Sequence, residues 1–428
     1  MDLITDQLIM NYLNLNQNDI EDIQVVREKD HKIFYVSLSR SERHYCPVCG
    51  SVSYKSLGFY QRKITMSHEL CEKDELILKV RRYLCKDCHS SFSEDKHLAQ
   101  RNQTISYQVI LKLMELLKDP HMTFKNAASL CSISPSSAVR IFDRHCHLKR
   151  PVFPEALCMD EVYALNSDFD SKYICVFYDF FRHTVIDVLP SRKKDYLYHY
   201  FQQFENTGEL LSVKYVCIDM HNTYRYIARK YFKKAVICAD SFHVIKQLND
   251  SLSKVRIRIM KRYDTASIEY YLLKHFRFLL FERNIDLDNK ARWNKKLERY
   301  INLRQLKEEL LSIDPQLKRA YELKEDYTSF NASSSYEEAE EKLGKLIDEF
   351  TLANIPEYEE FTSSLRRWKK EIVNSFRLYK GRRISNGVAE SINSLISLLL
   401  FNSKGIRNSE RRKKRIMYAV NKEGFLLK

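Results

Sequence analysis

Glycine and proline are scarce in this sequence, with eight of each among 428 residues. Because both residues interrupt helices and make tight turns, their scarcity and a charged fraction of 30% favour a helix-rich globular protein over a disordered one. Long apolar runs are also lacking, since no stretch approaches the length that crosses a bilayer. The start, MDLITDQLIMNYLNL, lacks the basic segment and cleavage site of a secretory signal. We therefore expect a cytoplasmic protein without a membrane partner.

Acidic residues are outnumbered by basic ones, 56 to 71, which leaves a formal net charge of +15 and a pI near 9.1. A surplus of this size attracts polyanions, so nucleic acid is the expected partner, although a solubilising surface would carry the same charge. The length and a hydrophobic fraction of 44% suffice for two or three domains. In a reducing compartment, the eleven cysteines are expected to be metal ligands or small core residues rather than disulfides.

Four of the cysteines form two pairs, each at the end of a predicted strand. The pairs are Cys46 and Cys49 in CPVC, and Cys85 and Cys88 in CKDC. The strand patterns at 32–40 and 75–84 run directly into these pairs. Two such pairs supply the four thiolates that structural Zn²⁺ prefers, so we predict one zinc ion in a module that covers residues 1–100. A redox CxxC pair is the alternative, and His44 or His89 could replace a thiolate ligand.

Residues 101–150 have the helical periodicity and order of a helix-turn-helix. One helix is predicted behind a Thr104 cap, and the segment 123–145 contains two more, the second with a Ser134 cap and Pro135 in its first turn. The polar face of that last helix carries Ser137, Arg140 and Arg144. We predict that these side chains bind a DNA groove, although two amphipathic helices with a short link also occur in ordinary helical proteins.

The segment 151–240 has the strand and helix order of the ribonuclease H-like fold. Three strands joined by short turns are followed by helix, strand, helix and strand, which implies a sheet with a parallel part. The predicted strands cover 156–165, 172–180, 183–190, 213–220 and 234–240. Residues 241–380 then lose strand character, and we predict an all-helical insertion that interrupts the core. The expected fold class is therefore α/β and multidomain.

The last segment, 381–428, is expected to return to the ribonuclease H-like core with its last helix and a basic tail. In ISNGVAESINSLISLLL, residues 384–400, the apolar residues repeat along one face and Glu390 falls on the polar face. The run from Arg411 to Arg415 allows two interpretations, a solvated chain end or a strip that binds phosphates.

Three carboxylates stand where a ribonuclease H-like core would gather them. They are Asp160 in the first strand, Asp219 at the end of the fourth, and Glu390 on the late helix. A carboxylate in an apolar strand needs compensation, which a salt bridge, a strand end open to solvent or a metal ion could supply. Two Mg²⁺ ions at a phosphodiester-cleaving site would use all three acids. We predict that Asp160 bridges the ions, whereas Glu161 faces the other side of the strand in a salt bridge or at the rim. Acids at strand ends are also common as plain surface residues.

The sequence resembles the DDE-type transposases of bacterial insertion sequences, in the ISL-three branch. The resemblance covers most of the chain and rests on CPVC…CKDC, the helix-turn-helix, CMDEV, VCIDMHNTY, ADSFHVIKQLN, the insertion and EIVNSFRLYKGRRISNGVAESIN. It implies that Asp160, Asp219 and Glu390 are the catalytic triad and hold two Mg²⁺ ions, or Mn²⁺. Asp240 and His243 match the acid-x-x-His signature of related transposases, which implies an accessory position beside the flanking DNA strand.

The resemblance also implies a bacterial, nucleoid-associated enzyme that binds the terminal inverted repeats of its insertion sequence, then cleaves and rejoins DNA. Its partners would be double-stranded DNA and further copies of itself, since two element ends must be held together. Members of this branch usually continue past the catalytic Glu with basic residues, whereas this chain has SLISLLLFNSKG. The alternatives are a catalytically inactive DNA-binding protein derived from such a transposase, and a structure-specific nuclease of the same fold.

Overall fold

The chain divides into two compact units. One contains residues 1–149 and 398–428, and the other contains residues 150–397. Within these ranges, the computed structural model describes residues 13, 15–28, 31–39, 44–66, 73–94, 98–100, 103–164, 172–282, 284–385, 387–404 and 406–422. The sequence-based prediction grouped 381–428 with the catalytic core, whereas the residues from Leu398 onward belong to the first unit.

A five-stranded sheet occupies the N-terminal part of the first unit, as far as the structure describes it. Its strands are β1 (Ile20–Glu28), β2 (His31–Leu38), β3 (Tyr54–Met66), β4 (Lys73–Cys85) and β5 (Ser91–Ser93). The order is β1-β2-β4-β3, with β5 also paired to β4, and only the β2–β4 pair is parallel among these described strands. Phe34, Val36 and Leu38 alternate into the core, which is the periodicity of a half-buried strand.

Three helices follow this sheet along the chain. They are α1 (Tyr107–Leu116), α2 (Phe124–Leu130) and α3 (Pro135–His145). Ser106, Thr123 and Ser134 cap their starts by accepting a hydrogen bond from a backbone amide in the first turn. The Ser134 cap and Pro135 were predicted, whereas the cap of α1 is Ser106 rather than Thr104. The apolar faces of the three helices form one hydrophobic core.

The basic C-terminal helix, α14 (Ser409–Val420), packs in the same core of the first unit. Tyr418 is buried there and donates a hydrogen bond to the carbonyl oxygen of Met114 at 2.9 Å. Arg411 forms a two-pronged salt bridge with Asp143, with a shortest N–O distance of 2.7 Å. This helix therefore contributes to the same hydrophobic core as α1, α2 and α3.

Arg415 binds the C-cap of α1, Leu117, and the loop that follows the helix. Its guanidinium donates to the carbonyl oxygens of Leu117, Asp119 and Met122 at 2.6, 3.0 and 2.8 Å. The last carbonyls of a helix lack intrahelical partners and carry the negative end of the helix dipole, so a cation is stabilised there. Burial lowers the pKa of Arg415 to about 10, which leaves it charged at neutral pH. The basic run is therefore neither a solvated end nor a free phosphate strip, because Arg412 and Arg415 are both buried.

The second unit is built on another sheet, in which five described strands take part. They are β6 (Ala156–Tyr163), β7 (Tyr173–Asp179), β8 (Thr184–Leu189), β9 (Tyr215–Ile218) and β10 (Val236–Ala239). Their order is β10-β9-β6-β7-β8, in which β6, β7 and β8 are antiparallel neighbours while β6, β9 and β10 run parallel. The central strand, β6, is buried along nearly its whole length, as expected where both faces of a sheet are covered.

Helices make up most of the rest of the second unit. They are α4 (Lys194–Gln202), α5 (Glu209–Ser212), α6 (Asn222–Tyr231), α7 (Ser241–Met260), α8 (Ile268–His275), α9 (Leu303–Ser312), α10 (Pro315–Ser333), α11 (Tyr336–Leu352), α12 (Glu359–Asn374) and the first part of α13 (Gly387–Asn402). One large hydrophobic core joins the strands to α4 to α12. Among the described residues, no helix is both long and apolar enough to cross a membrane.

The insertion is not all-helical, so that part of the sequence-based prediction is wrong. Residues 292–301 form a hairpin in which β11 (Arg292–Asn294) pairs with β12 (Arg299–Ile301), and β13 (Leu378–Tyr379) pairs with β14 (Arg382–Arg383) near its end. The Asn294 side chain accepts hydrogen bonds from the backbone amides of Lys296 and Leu297. An Asn that binds its own downstream amides makes a turn and competes with helix formation, so this local bond overrides the charged, helix-like composition.

Replacing Arg415 by Ala is expected to lower the free energy of unfolding of the first unit by about 3 kcal/mol or more, because the C-cap carbonyl of α1 and two carbonyls of the following loop lose this donor. Urea unfolding followed by circular dichroism measures the change. Lys414→Ala is the matched control on the neighbouring position of α14, and it should cost less than about 0.5 kcal/mol. Equal losses in the two variants would contradict the structural role of Arg415.

Candidate active site and metal centre

Asp160 lies in the middle of the sheet of the second unit. It is on β6, opposite Val176 of β7, and it is only 4% exposed. One of its carboxylate oxygens accepts a hydrogen bond from the backbone amide of Glu161 at 2.7 Å, and the other accepts one from Asn393 Nδ2 at 2.9 Å. Two N–H donors therefore compensate a carboxylate that the apolar strand would otherwise disfavour.

Glu161, the neighbouring acid on β6, has a structural salt bridge. Arg192 binds both of its carboxylate oxygens, and the Arg192 guanidinium also lies 4.4 Å from the centre of the Tyr173 ring. Since successive side chains of a strand point to opposite faces, Glu161 is directed away from Asp160. The two adjacent acids are thus separated by the strand itself and have different partners.

Asp219 and Asp240 follow the ends of two parallel strands, β9 and β10. Since parallel strands end at the same edge of a sheet, both side chains reach one place. Asp240 caps α7 by accepting a hydrogen bond from the Phe242 amide at 3.2 Å, and its other oxygen lies 2.8 Å from His243 Nδ1. The same nitrogen is 3.8 Å from a carboxylate oxygen of Asp219. The imidazole therefore links the two carboxylates.

Burial and neighbouring charges set the protonation of this group. Burial raises the pKa of Asp160 to about 6, and the charges of Asp240 and Asp219 add to the rise. For His243, burial disfavours the charged form, but the hydrogen bond to Asp240 and the charge of Asp219 outweigh it and raise the pKa to about 9. At neutral pH His243 is therefore a cation among three carboxylates, and it offsets part of their repulsion.

Helix α13 reaches Asp160 from a distant part of the chain. Asn393 donates to Asp160, and its side-chain oxygen accepts a hydrogen bond from the hydroxyl of Tyr178 on β7. Glu390 is exposed and lies three residues before Asn393, so the two share a face of the helix. The sequence analysis singled out Glu390 but gave no role to Asn393, for which the three-residue spacing in ESIN was the available signal.

The three predicted carboxylates do not share one tight ligand sphere. Among the described residues, the four cysteines are the group of three or more metal-ligating side chains whose ligand atoms all lie within 4.8 Å of one another. Asp160 and Asp219 lie near His243, and Glu390 is connected to Asp160 through the Asn393 turn of its helix. Such a spread is compatible with two ions about 4 Å apart, because their ligands divide between the ions. Carboxylate donors of this kind suit Mg²⁺ or Mn²⁺.

The four predicted zinc ligands lie together in the first unit. Cys46 Sγ is 3.5 Å from Cys88 Sγ, and Cys49 Sγ is 3.6 Å from Cys85 Sγ. Around a tetrahedral zinc ion with Zn–S distances of about 2.3 Å, the sulfurs would lie about 3.8 Å apart, against about 2 Å in a disulfide. All four cysteines are free thiols. The cluster therefore fits a structural zinc ion in both donor type and spacing.

The two cysteine pairs lie in two turns of similar backbone conformation. The residue after each pair has a left-handed backbone, with a φ of 73° at Gly50 and 57° at His89. His89 is therefore a turn residue, and the ligand group found among the described residues does not include it. His44 is outside that group as well, and its ring centre lies 4.8 Å from that of Tyr83. Neither histidine replaces a thiolate in the cluster.

The predicted DNA-binding residues lie on α3 of the first unit. Arg140 and Arg144 are exposed, and Arg144 donates to the side chain of Gln100 at 3.3 Å. Ser137 is half-buried, and its hydroxyl oxygen accepts hydrogen bonds from Ser134 and Arg140. The two arginines therefore form an exposed basic edge, whereas Ser137 stabilises the start of the helix.

A cavity of about 330 Å³ lies against the start of β10 in the second unit. Its lining includes Arg229, Lys233, Lys370, Glu371 and Arg377. Asp240 follows the other end of the same short strand, so the cavity and the carboxylates lie at opposite ends of β10. Asp160, Asp219 and Asp240 therefore do not line this cavity.

The charge of His243 predicts a pH dependence of stability. Because its folded pKa of about 9 exceeds the ordinary value of 6.5, the contribution is fully present below pH 6.5 and is lost as the pH rises through 9. His243→Gln should therefore lower the free energy of unfolding by about 3 kcal/mol at pH 6, with little difference above pH 9. Urea titrations across this range, without added Mg²⁺, measure it, and His199→Gln at an exposed position is the control. A difference that grows above pH 9 would contradict the assignment.

The cysteine cluster predicts one zinc ion per chain. Cys46→Ser or Cys85→Ser should lose this ion and unfold the residues before about 100, because binding to a structural site contributes directly to the free energy of folding. Atomic emission spectroscopy and limited proteolysis measure the two effects. Cys131→Ala, at a buried cysteine outside the cluster, should retain the ion. Folded protein without zinc would rule this role out.

Comparison with known proteins supports a single family for this chain. A family model described as a transposase, of the ISL-three DDE type, matches residues 157–416, which is more than half of the 428 residues. The matched range includes Asp160, Asp219 and Glu390, and it begins after the four cysteines and α3. A comparison with curated proteins found no match. The chain belongs to the ISL-three family of DDE transposases.

Proposed function

We propose that this transposase cleaves DNA at the ends of its element and joins the cut strands to a target. The observation that carries the proposal is the 2.9 Å hydrogen bond from Asn393 to Asp160. This bond brings the helix that contains Glu390 next to the buried acid of β6. The order β10-β9-β6-β7-β8, with acids after β9 and β10, supports a ribonuclease H-like catalytic core.

Asp160, Asp219 and Glu390 are the proposed ligands of two Mg²⁺ or Mn²⁺ ions. When bound, such ions activate a water or 3′-hydroxyl and stabilise the leaving oxygen. Each oxygen of Asp160 accepts one hydrogen bond and keeps a second lone pair, so both oxygens would be available to metal ions without a change in the position of Asp160. Asn393 acts as a positioning residue, since its own amide oxygen is held by Tyr178.

Asp240 and His243 have an accessory role in this proposal. Asp240 orients the imidazole through the 2.8 Å contact to Nδ1, which keeps its positive charge 3.8 Å from Asp219. This charge reduces the repulsion among the carboxylates and also attracts a phosphate of the DNA strand that enters the site.

The first unit is the proposed DNA-recognition part. Helices α2 and α3, with the four residues between them, have the arrangement of a helix-turn-helix, and the exposed Arg140 and Arg144 are available to a DNA groove. The zinc-binding module adds a second contact surface for the terminal inverted repeats. Because Lys and Arg contacts release counterions from phosphates, binding should weaken steeply with salt.

The DNA-bound form is proposed to be at least a dimer of this chain. Transposition requires both ends of the element to be held together while their strands are cut, and one chain offers one trio of acids. The inactive DNA-binding derivative and the structure-specific nuclease are the competing functions that the following experiment separates.

Asp219→Asn should reduce Mg²⁺-dependent cleavage of a duplex carrying the flanking ends of the element by at least about a hundredfold, because a metal ligand and its charge are lost. Asp160→Asn and Glu390→Gln should do the same. Glu161→Gln is the matched control on β6, and it should keep cleavage, since Glu161 binds Arg192. Product strands are separated on denaturing gels, and fluorescence anisotropy of the same duplex checks binding.

Each alternative has its own outcome in this experiment. Binding without cleavage by the unchanged protein would indicate the inactive derivative. Cleavage of branched DNA regardless of the terminal sequence would indicate the nuclease. Cleavage that survives Asp160→Asn, or that disappears in Glu161→Gln, would overturn the assignment of the acids.

A further inference from the structure

The β11–β12 hairpin of the second unit presents two large aromatic side chains to solvent. Trp293 and Tyr300 are direct cross-strand partners, and they are 53% and 70% exposed. Their ring centres are 5.3 Å apart in an edge-to-face arrangement. Aromatic side chains contribute large apolar areas and are usually buried, so an exposed adjacent pair points to a ligand.

The opposite face of the hairpin is anchored to the core. Ile301 is 5% exposed and belongs to the large hydrophobic core of the second unit. Tyr271 donates a hydrogen bond to the Asn294 side chain, which also accepts the turn amides described above. Because alternate residues of a strand point to opposite faces, these anchors direct Trp293 and Tyr300 outward. The aromatic pair is thus held by a fixed element.

The hairpin is strongly basic. Residues 290–300, KARWNKKLERY, contain five Lys or Arg and one Glu, a net charge of +4. Lys290, Arg292 and Lys295 are exposed, and none of them has an ion pair within the part of the chain that the structure describes. This charge selects a polyanion over a protein surface, because lysine is depleted at the centres of protein–protein interfaces.

We propose that this hairpin binds unpaired or unstacked bases of DNA, with Trp293 stacking on a base while the surrounding cations bind phosphates. A base within an intact duplex has both faces covered, whereas an unpaired base offers a free face for stacking. Duplex readout would instead need hydrogen-bonding side chains on the outward positions, where this hairpin has Trp293 and Tyr300. The inference rests on the proposed function, since strands become unpaired where a transposase opens and cuts DNA.

Tryptophan fluorescence tests the proposal in the full chain, because its two tryptophans have opposite environments. Trp293 is exposed, whereas Trp368 is 1% exposed and lies under the guanidinium of Arg225 at 4.5 Å. An oligothymidylate that lacks the sequence of the element should quench the emission of Trp293 without Mg²⁺. Trp293→Phe should abolish this quenching, since the remaining tryptophan is buried.

Affinity for the same probe separates stacking from charge. Anisotropy of labelled oligothymidylate should show about tenfold weaker binding for Trp293→Ala, and a loss of less than about threefold for Trp293→Phe, which keeps a ring. Lys295→Glu should weaken binding as well. Lys318→Glu, at an exposed lysine of α10 in the same insertion, is the matched control and should leave the affinity unchanged.

The outcomes distinguish this inference from the proposed function. A protein that cleaves its element ends, but whose Trp293 emission and probe affinity do not respond, would overturn the hairpin inference alone. A protein that fails to cleave, yet shows quenching that depends on Trp293, would support the hairpin inference and overturn the proposed function. Emission that changes with protein concentration, and not with oligothymidylate, would make the hairpin a protein contact and overturn the inference.

Discussion

The hydrogen bond from Asn393 to Asp160 is the interaction on which the arrangement of the acids depends. It joins residues that are 233 positions apart, and it does so at a buried carboxylate that accepts but cannot donate. Burial keeps the Tyr178 phenol neutral by raising its pKa well above the usual range, so Tyr178 donates to the Asn393 oxygen. That bond turns the Asn393 N–H group toward Asp160. The orientation of the Asn393 amide is therefore set by a donor on β7 and an acceptor on β6.

Two groups of acids in the second unit have different partners. Glu161, Glu209 and Glu371 each bind at least one arginine, as in the 2.7 Å contact of Arg225 with Glu371. Asp160, Asp219 and Asp240 instead surround one imidazole. Paired acids stabilise the fold with their charge already neutralised. The group around His243 keeps an excess of negative charge, which is the condition for binding divalent cations.

The net charge of +15 is distributed over positions with different roles. Arg412 and Arg415 are buried, and Arg415 binds the carbonyl oxygen of Leu117 at the end of α1. The lysines and arginines of the β11–β12 hairpin are exposed around an aromatic pair. The total charge predicts a polyanionic partner. The surface that binds this partner, however, is determined by the lysines and arginines that remain exposed to solvent. A basic run in a sequence is therefore not by itself a DNA-binding surface.

Local chemistry made several features of this protein predictable from its sequence. Two CxxC pairs at strand ends predicted the four-cysteine cluster, because their spacing directs both sulfurs of a pair to one point. Ser134 and Pro135 predicted the start of α3, since a cap and a first-turn proline act on neighbouring amides. Apolar runs predicted the five strands of the second unit and the order in which they appear.

Features that depend on distant parts of the chain were decided by the tertiary structure. The sequence by itself could not show that Arg415 completes α1, because the bond joins residues about 300 positions apart and the same basic run would suit a solvated end. It also could not show that Asn393 holds Asp160, since an Asn on a polar helix face has many possible partners. The hairpin at Trp293 lies among charged segments with a helix-like sequence pattern, so the sequence did not predict it. In the structure it is anchored by Ile301, which is buried in the core. In each case periodicity and spacing determined the local element, whereas burial of a polar or aromatic group against a remote partner determined its role.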